Sequence, residues 1–325
     1  MIVTKTPFRI TLGGGGTDLP SYANTYGGYV FAVTINKYMY IVLNEPFDDL
    51  IRLKYSKSET VDNIDKLDHA IAREVLRYTG IDKKIDVVSL ADIPAGTGLG
   101  SSSCYTVGLL NAIYAYRRVT TKNVAQSAHY IEADVLKYPV GYQDQYMAAL
   151  GGFQELRNSM KYNEIINTKI HFPQSITAEL NRNLLMFYTY TKHDSNVILT
   201  EENKQVSQNN GALENLHEIK HIGMKIRDAV WSGDLDMVGV LMDQHWNCKK
   251  KITSQMTTSR FDEIYDLAKR HGALGGKITG SGGAGFFIFY VNKDHHAFIT
   301  KMEAQGMKHM TYSFESLGSR VIIDI

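Results

Sequence analysis

Residues 91–118, ADIPAGTGLGSSSCYTVGLLNAIYAYRR, read as the end of a strand, a glycine loop and a helix. Gly96, Gly98 and Gly100 free the backbone to turn tightly and let successive N–H groups converge. Ser101, Ser102 and Ser103 then open the helix and offer its N-cap, while Val107, Leu110 and Tyr114 share one helical face. Converging loop amides at a helix N-terminus form a site for an anion such as phosphate. The loop departs from the Walker A pattern, since no Lys-Ser/Thr follows its glycines. It also departs from the dinucleotide fingerprint, whose third glycine would fall at Ser101. A structural turn with a serine cap is the competing reading of the same residues.

Two further glycine clusters lie far from this loop in sequence, GGGG at 13–16 and GGKITGSGGAG at 275–285. Each stands beside a β-rich run, and three such clusters in one chain point to close backbone approach to a shared ligand. Downstream, IEADVLKYPVGYQDQYMAALGGF (131–153) carries Glu132 on a predicted helix and Asp144 where a turn meets a helix start. Isolated carboxylates are mostly solvated or, at a helix start, caps. Beside a phosphate loop they suit phosphoryl transfer, which needs one carboxylate on Mg²⁺ and another to take the hydroxyl proton. HEIKH (217–221) matches the H-E-x-x-H zinc pattern, with His217 and His221 on one helix face and Glu218 as base. A third ligand would have to be His245 or a nearby acid, and the buried face of that helix is Leu216, Ile219 and Ile226. A metalloprotease is therefore the minor reading.

The 325 residues are 44% hydrophobic and 21% charged, enough to bury a substantial core. With 35 basic against 34 acidic residues, net charge is +1, and no global field draws the chain to nucleic acid or membrane. The run Lys249-Lys250-Lys251 reads as a solvated helix face. MIVTKTPFRI lacks the apolar core of a signal peptide and no apolar run reaches spanning length. Cys104 and Cys248 build no disulfide framework. A soluble cytoplasmic protein is expected, with homodimeric assembly left open.

Strands are expected at 29–35, 39–43 and 85–90, with a helix in 66–80 stopped by Gly80 and another over 122–137. Residues 171–176 read as a connection and 183–191 as a strand. A helix over 213–230 is broken by WSGD (231–234), where Asp234 caps the next. The tail reads as helix (261–271), glycine loop (275–285), strand (286–291), helix (294–305) and strand (320–325). Strands and helices mix without a regular βαβ rhythm, which predicts α+β with two lobes. Residues 1–175 would carry the phosphate loop and Asp144, and residues 176–325 the third glycine motif.

Taken in this order, the motifs resemble the GHMP kinase superfamily of galactokinase, homoserine kinase, mevalonate kinase and phosphomevalonate kinase. PAGTGLGSSS (94–103) resembles its P-x-x-x-G-L-G-S-S-A phosphate loop, with Ser103 for the alanine. PFRITLGGGGTD (7–18) is similar to the galactokinase pattern P-G-R, then G-E-H-T-D, with Arg9 and Asp18 at the family's nine-residue offset. GYQDQYMAALGG (141–152) resembles the catalytic Asp-Gln segment, and GGKITGSGGAGF (275–286) the C-terminal glycine motif.

The resemblance spans residues 7 to 286 and implies a two-lobed α+β GHMP kinase fold, with the active site in the inter-lobe cleft and ATP and Mg²⁺ as cofactors. It implies that Pro94, Gly96, Gly98, Leu99, Gly100, Ser101, Ser102 and Ser103 wrap the ATP phosphates, and that Ser102 and Glu132 ligand Mg²⁺. Asp144 would take the hydroxyl proton, and Arg9 beside it would keep it ionised and stabilise transition-state charge. Asp18 would hydrogen-bond sugar hydroxyls. Gly14, Gly15, Gly16 and Thr17, together with Gly280, Ser281 and Gly282, would line the substrate.

Where galactokinases carry Glu-His, this chain has Gly15-Gly16. The missing carboxylate is expected to leave room for an anionic substrate, because a buried Glu would repel a phosphate. The pattern PFRITLGGGGTDLPSY…GGYV…INKYMY most resembles the D-glycero-D-manno-heptose 7-phosphate kinases. That implies phosphorylation of the anomeric hydroxyl of a small-molecule sugar phosphate, giving a 1,7-bisphosphate for GDP-heptose synthesis. Lys192, in YTYTKHDSN (188–196) with Thr189, Thr191 and Ser195, is the candidate for the distal phosphate, ahead of Lys37. The alternatives are a kinase of a neutral sugar, fucose or galactose, and a non-catalytic sugar sensor on the same fold. Joint retention of Arg9, Ser102, Glu132 and Asp144 disfavours the sensor.

Overall fold

Strand β1 (Ile2–Gly13) runs antiparallel to the long β2 (Tyr29–Asn44), setting Arg9 mid-ladder and the first glycine cluster at the strand end. These features come from a computed structural model, which describes residues 1–120, 123–159, 164–192, 195–208 and 211–325. Short α1 (Pro20–Tyr26) joins the two strands and starts on Pro20, whose fixed φ suits a first helical turn. The two runs expected at 29–35 and 39–43 form one strand. It continues through an irregularity opposite Pro7 and Phe8, where Asn36 and Lys37 drop out of the pairing with β1.

Next come β3 (Ile51–Lys54), β4 (Ser58–Val61) and α2 (Ala70–Thr79), which Gly80 ends in the left-handed region at φ 66° as expected. They are followed by β5 (Ile85–Ala91), α3 (Ser101–Tyr116) and α4 (Val124–His129). A π-helical turn, Tyr130–Val135, prolongs α4 and carries Glu132. Residue 122 of the helix expected at 122–137 lies outside the described residues. The half closes with α5 (Gln143–Leu150), β6 (Phe153–Ser159) and β7 (Glu164–Ile170).

Residues 171–176, expected to be a connection, already enter α6 (Gln174–Asn183), which follows Pro173. Then come β8 (Leu184–Tyr188), α7 (Ser195–Ser207), α8 (Ala212–Ser232) and α9 (Leu235–Lys249). Asp234 caps α9 by accepting from the Met237 N–H at 3.3 Å. The chain continues with α10 (Ser259–Arg270), β9 (Ala273–Ile278), β10 (Phe286–Val291), α11 (His295–Glu303) and β11 (Lys308–Met310). Gly275 and Gly276 thus belong to a strand and not to the glycine loop expected there. Each lets another backbone come close: a Cβ on Gly275 would stand 2.0 Å from the Gly239 carbonyl oxygen of α9.

Two sheets result. One has nine strands: β13 (Arg320–Asp324) leads the path β13-β1-β2-β5-β3-β4, β6 and β12 (Phe314–Glu315) pair with β2, and β7 pairs with β6; the other runs β11-β8-β10-β9. The last two strands, β12 and β13, thus return to the first sheet, beside β2 and β1 respectively. Helices α3 and α8 both pack on β1 and β2. At the α8 crossing, a Cβ on Gly13 would stand 2.6 Å from the Gly223 Cα, so glycine on both sides is what allows the contact.

Candidate active site

The Arg9 guanidinium, 3% exposed, grips Asp144 with two hydrogen bonds, Nε to Oδ1 at 2.7 Å and Nη2 to Oδ2 at 2.9 Å. Its Nη1 donates to the Gly98 carbonyl at 2.7 Å. One side chain from β1 therefore ties the first residue turn of α5 to the middle glycine loop, and the rigid fork fixes both. A Cβ on Gly100 would stand 3.3 Å from Asp144 Oδ2, so the loop runs against the carboxylate itself.

Gly100, not a serine, is the N-cap of α3, at φ 83°, and no side chain caps the helix. Ser101 and Ser102 are left facing a cavity of about 700 Å³, lined also by Pro94, Gly96, Gly98, Gly100, Arg9 and Asp144. The amides at the α3 start are thus left without a side-chain cap. Leu99 is buried. Ser103 points inward and donates to Glu132 Oε2 at 2.9 Å.

Glu132 is fully buried and does not line the cavity. Its Oε1 accepts from Thr106 at 2.5 Å and its Oε2 from Ser103 and from Gln145 Nε2 at 2.7 Å. Burial pushes its carboxyl up to about 7, against the pull of those three donors.

The first glycine cluster serves packing as well as the pocket. A Cβ on Gly14, at φ 80°, would stand 2.1 Å from the Tyr29 carbonyl oxygen, and Thr17 Oγ1 lies 2.8 Å from the Gly14 carbonyl and 2.7 Å from that of Tyr29. Of this cluster, Gly16 and Asp18 line the cavity. Asp18 accepts from the Gly16 N–H, the Gln143 N–H and Gln143 Nε2. Burial, then the charge of Asp144, pushes it up to about 6.

The space beside Gly16 is not open for an anion, contrary to the expectation drawn from the sequence. A Cβ there would stand 2.5 Å from Glu202 Oε1, a carboxylate brought across by α7. Beside Gly15, where the family pattern places its Glu, a Cβ would meet Thr11 Cγ2 at 3.2 Å, so the carboxylate from α7 stands at the next position, and the local sequence held no sign of it.

Gly280 and Ser281 line the same cavity from the third motif, and Gly282 does not. Gly280 and Gly98 interlock: each Cβ, if added, would stand 2.5 Å from the other loop, at Gly98 Cα and the Thr279 oxygen. The cavity therefore lies between groups from the two halves of the chain.

Lys192 is exposed and outside the cavity lining. His193 and Asp194 of the same segment lie outside the described residues. Thr189 and Thr191 hydrogen-bond each other at 2.6 Å, and Thr189 also donates to the Gly285 carbonyl. Besides Arg9, the buried Lys and Arg side chains among the described residues are Lys249 and Lys277. Lys249, expected on a solvated face, lines the cavity and donates to the Gly280 carbonyl at 2.5 Å. Lys277 donates to the Leu12 carbonyl at 3.0 Å.

HEIKH forms no metal site: His217 Nδ1 shares a hydrogen bond with the Tyr22 hydroxyl at 2.7 Å. Among the described residues no cluster of three His, Cys, Asp or Glu stands ready for a metal. At the other end the cavity is walled by Tyr55, His69 and Tyr105, with the His69 and Tyr105 rings stacked 4.6 Å apart.

Burial, followed by repulsion from Lys249 and Arg9, drives the Lys277 ammonium well below the ordinary lysine range. The unfolded chain then holds a proton at Lys277 that the folded chain lacks, from the folded value up to the ordinary 10.5. Stability must rise with pH across that window. Urea unfolding between pH 8 and 10 is expected to give Lys277→Met a shallower rise than the wild type; equal slopes would mean that Lys277 stays protonated in the fold.

The family models GHMP kinases N terminal domain and GHMP kinases C terminal match residues 66–152 and 213–305. A D-glycero-alpha-D-manno-heptose 7-phosphate kinase of Campylobacter jejuni subsp. jejuni serotype O:2 is 30% identical over 90% of this chain and 89% of its own. The chain belongs to the GHMP kinases. Among solved structures, a D-glycero-D-manno-heptose 1-phosphate kinase from Bacteroides thetaiotaomicron shares the fold with a TM-score of 0.83 at 24% identity, covering 100% of both chains. A putative sugar kinase from Campylobacter jejuni gives 0.77 at 25% identity, covering 98% of this chain and 97% of that one. This GHMP kinase is accordingly an enzyme of the α+β fold expected, and its named homologues include sugar kinases. Among the described residues no helix is long and apolar enough to cross a membrane.

Proposed function

We propose that this GHMP kinase transfers the γ-phosphoryl group of ATP to the anomeric hydroxyl of D-glycero-D-manno-heptose 7-phosphate. The observation that carries the reading is the Arg9–Asp144 fork set between the glycine loop and the acceptor side of one cavity. The heptose 7-phosphate kinase from Campylobacter jejuni, similar over most of both chains, supports the choice of acceptor.

The residues fit a nucleotide. The phosphates would lie against the Gly96–Gly100 amides and the start of α3, and the adenine ring against the Tyr55, His69 and Tyr105 end of the cavity. Asp144 accepts the proton of the anomeric hydroxyl as that oxygen attacks, each carboxylate oxygen keeping a lone pair beyond its bond to Arg9. Arg9 orients Asp144, and its guanidinium stabilises charge on the transferring group. Ser102 would offer its hydroxyl to Mg²⁺ from the cavity wall, whereas Glu132, fully buried behind that wall and held by Ser103, Thr106 and Gln145, does not fit as a direct ligand in this arrangement. When bound, Mg²⁺ neutralises charge on the nucleotide phosphates.

The test is a panel in which ADP release and product mass are followed with heptose 7-phosphate, galactose and fucose. The expected outcome is a kcat/KM for heptose 7-phosphate at least about 100-fold above either neutral sugar. A preference for galactose or fucose would replace the acceptor and leave the kinase assignment standing.

A further inference from the structure

Helix α7 packs on α1, and Ile198 and Val206 join Tyr22 and Leu216 in one apolar cluster, so α7 is anchored over the turn that follows β1. That anchoring carries Glu202 inward until it is 1% exposed, with Oε1 against Gly16 and the side chain on the wall of the acceptor cavity. Oε1 has no hydrogen-bond partner. Burial pushes the Glu202 carboxyl up to about 7 against the pull of Lys249, whose ammonium donates to the Gly280 carbonyl. An unpaired buried carboxylate oxygen is costly, and it persists where a ligand completes it.

We infer that Glu202 is a specificity-determining residue for the acceptor, taking a hydrogen bond from one hydroxyl of a polyhydroxylated substrate beside Gly16. Asp18, the carboxylate expected to read the sugar, already accepts from the Gly16 amide and from both nitrogens of Gln143. Asp144 is committed to Arg9 and to the reacting hydroxyl. Glu202 is the carboxylate of this wall with an oxygen still open. A hydroxyl can donate to it, whereas a phosphate group would meet like charge, so the phosphorylated end of the acceptor points away from α7. The inference rests on the sugar-phosphate kinase reading and adds the residue that selects among its hydroxyls.

The test uses the full chain with heptose 7-phosphate and its single-deoxy analogues, comparing wild type with Glu202→Gln and Glu202→Ala. Thermal unfolding establishes that each variant is folded, and the isosteric Gln variant serves if Ala is not. Wild type is expected to reject one deoxy analogue by at least about 100-fold in kcat/KM. In the Ala variant that ratio should fall below about tenfold at that position alone, and in the Gln variant, which keeps a neutral acceptor oxygen, it should fall by less, with the loss in acceptor KM and the KM for ATP within about twofold. Undiminished discrimination at every position in a folded, active variant overturns the role of Glu202 and leaves the proposed function intact. A folded wild type that phosphorylates none of these acceptors overturns the function reading, and this inference with it.

Discussion

Asp144→Asn is expected to lower kcat by a factor of about 10²–10⁴ while ATP affinity stays within about twofold of wild type. The substitution keeps the shape of the side chain and one acceptor oxygen for the Arg9 fork, and it removes the basicity proposed to take the hydroxyl proton. Arg9 retains its bond to the Gly98 carbonyl at 2.7 Å, so the loop proposed to meet the nucleotide stays anchored when Asp144 changes. Single-turnover phosphoryl transfer and nucleotide titration separate the two effects, with thermal unfolding to establish that the variant is folded. Turnover within tenfold of wild type would remove Asp144 from the proton path and leave positioning and electrostatics as the source of rate. Arg9→Lys makes the contrast. It keeps a cation but loses the planar fork that holds Asp144 and Gly98 together, so kcat and the KM for ATP should both deteriorate.

The parts of this enzyme legible in its sequence are those whose cause is local. Gly80 stops α2 because the chain there needs a left-handed residue, and Asp234 starts α9 because its carboxylate meets the Met237 amide. The glycine loop and its helix could be read from spacing, although the N-cap proved to be Gly100 itself, which turns the serines toward the cavity and toward Glu132. The pairing of Arg9 with Asp144 is 135 residues wide and has no local signature; the family resemblance carried it. Glu202 and Lys249 were illegible for a plainer reason. In EENKQ and CKK they look like ordinary solvated charges, and only the packing of α7 on α1 and of α9 on β9 turns them inward. The strand at the C-terminus was readable as a strand, but its place beside β1 depends on a pairing of Ile2 with Asp324 that no window could contain.

Gly280→Ala should destabilise the protein by about 2–4 kcal/mol and cut kcat/KM for ATP by at least about 100-fold. Gly280 sits at φ 67°, where a Cβ alone costs about 1–2 kcal/mol. That Cβ would also stand 2.5 Å from Gly98 Cα and 2.6 Å from the Gly98 oxygen, backbone atoms that cannot swing aside as a side chain would. The two loops must separate, and the displacement acts on groups already named. The Gly98 carbonyl holds Arg9 Nη1, and the Gly280 carbonyl holds Lys249 Nζ. A shift near 1 Å in either would be enough to misalign the proposed nucleotide site with Asp144. Gly306→Ala isolates the backbone part of the effect. Gly306 has φ 77°, and a Cβ there would meet only the far end of Arg260 at 3.7 Å, so it carries the φ cost without the collision. Urea unfolding and steady-state kinetics on both variants then give a direct comparison. If Gly306→Ala loses about 1–2 kcal/mol with normal kinetics while Gly280→Ala loses more and is catalytically impaired, the contact between the second and third glycine motifs is what aligns the two halves of the cavity. Equal losses of stability with normal kinetics in both would show that the loops meet without governing the chemistry.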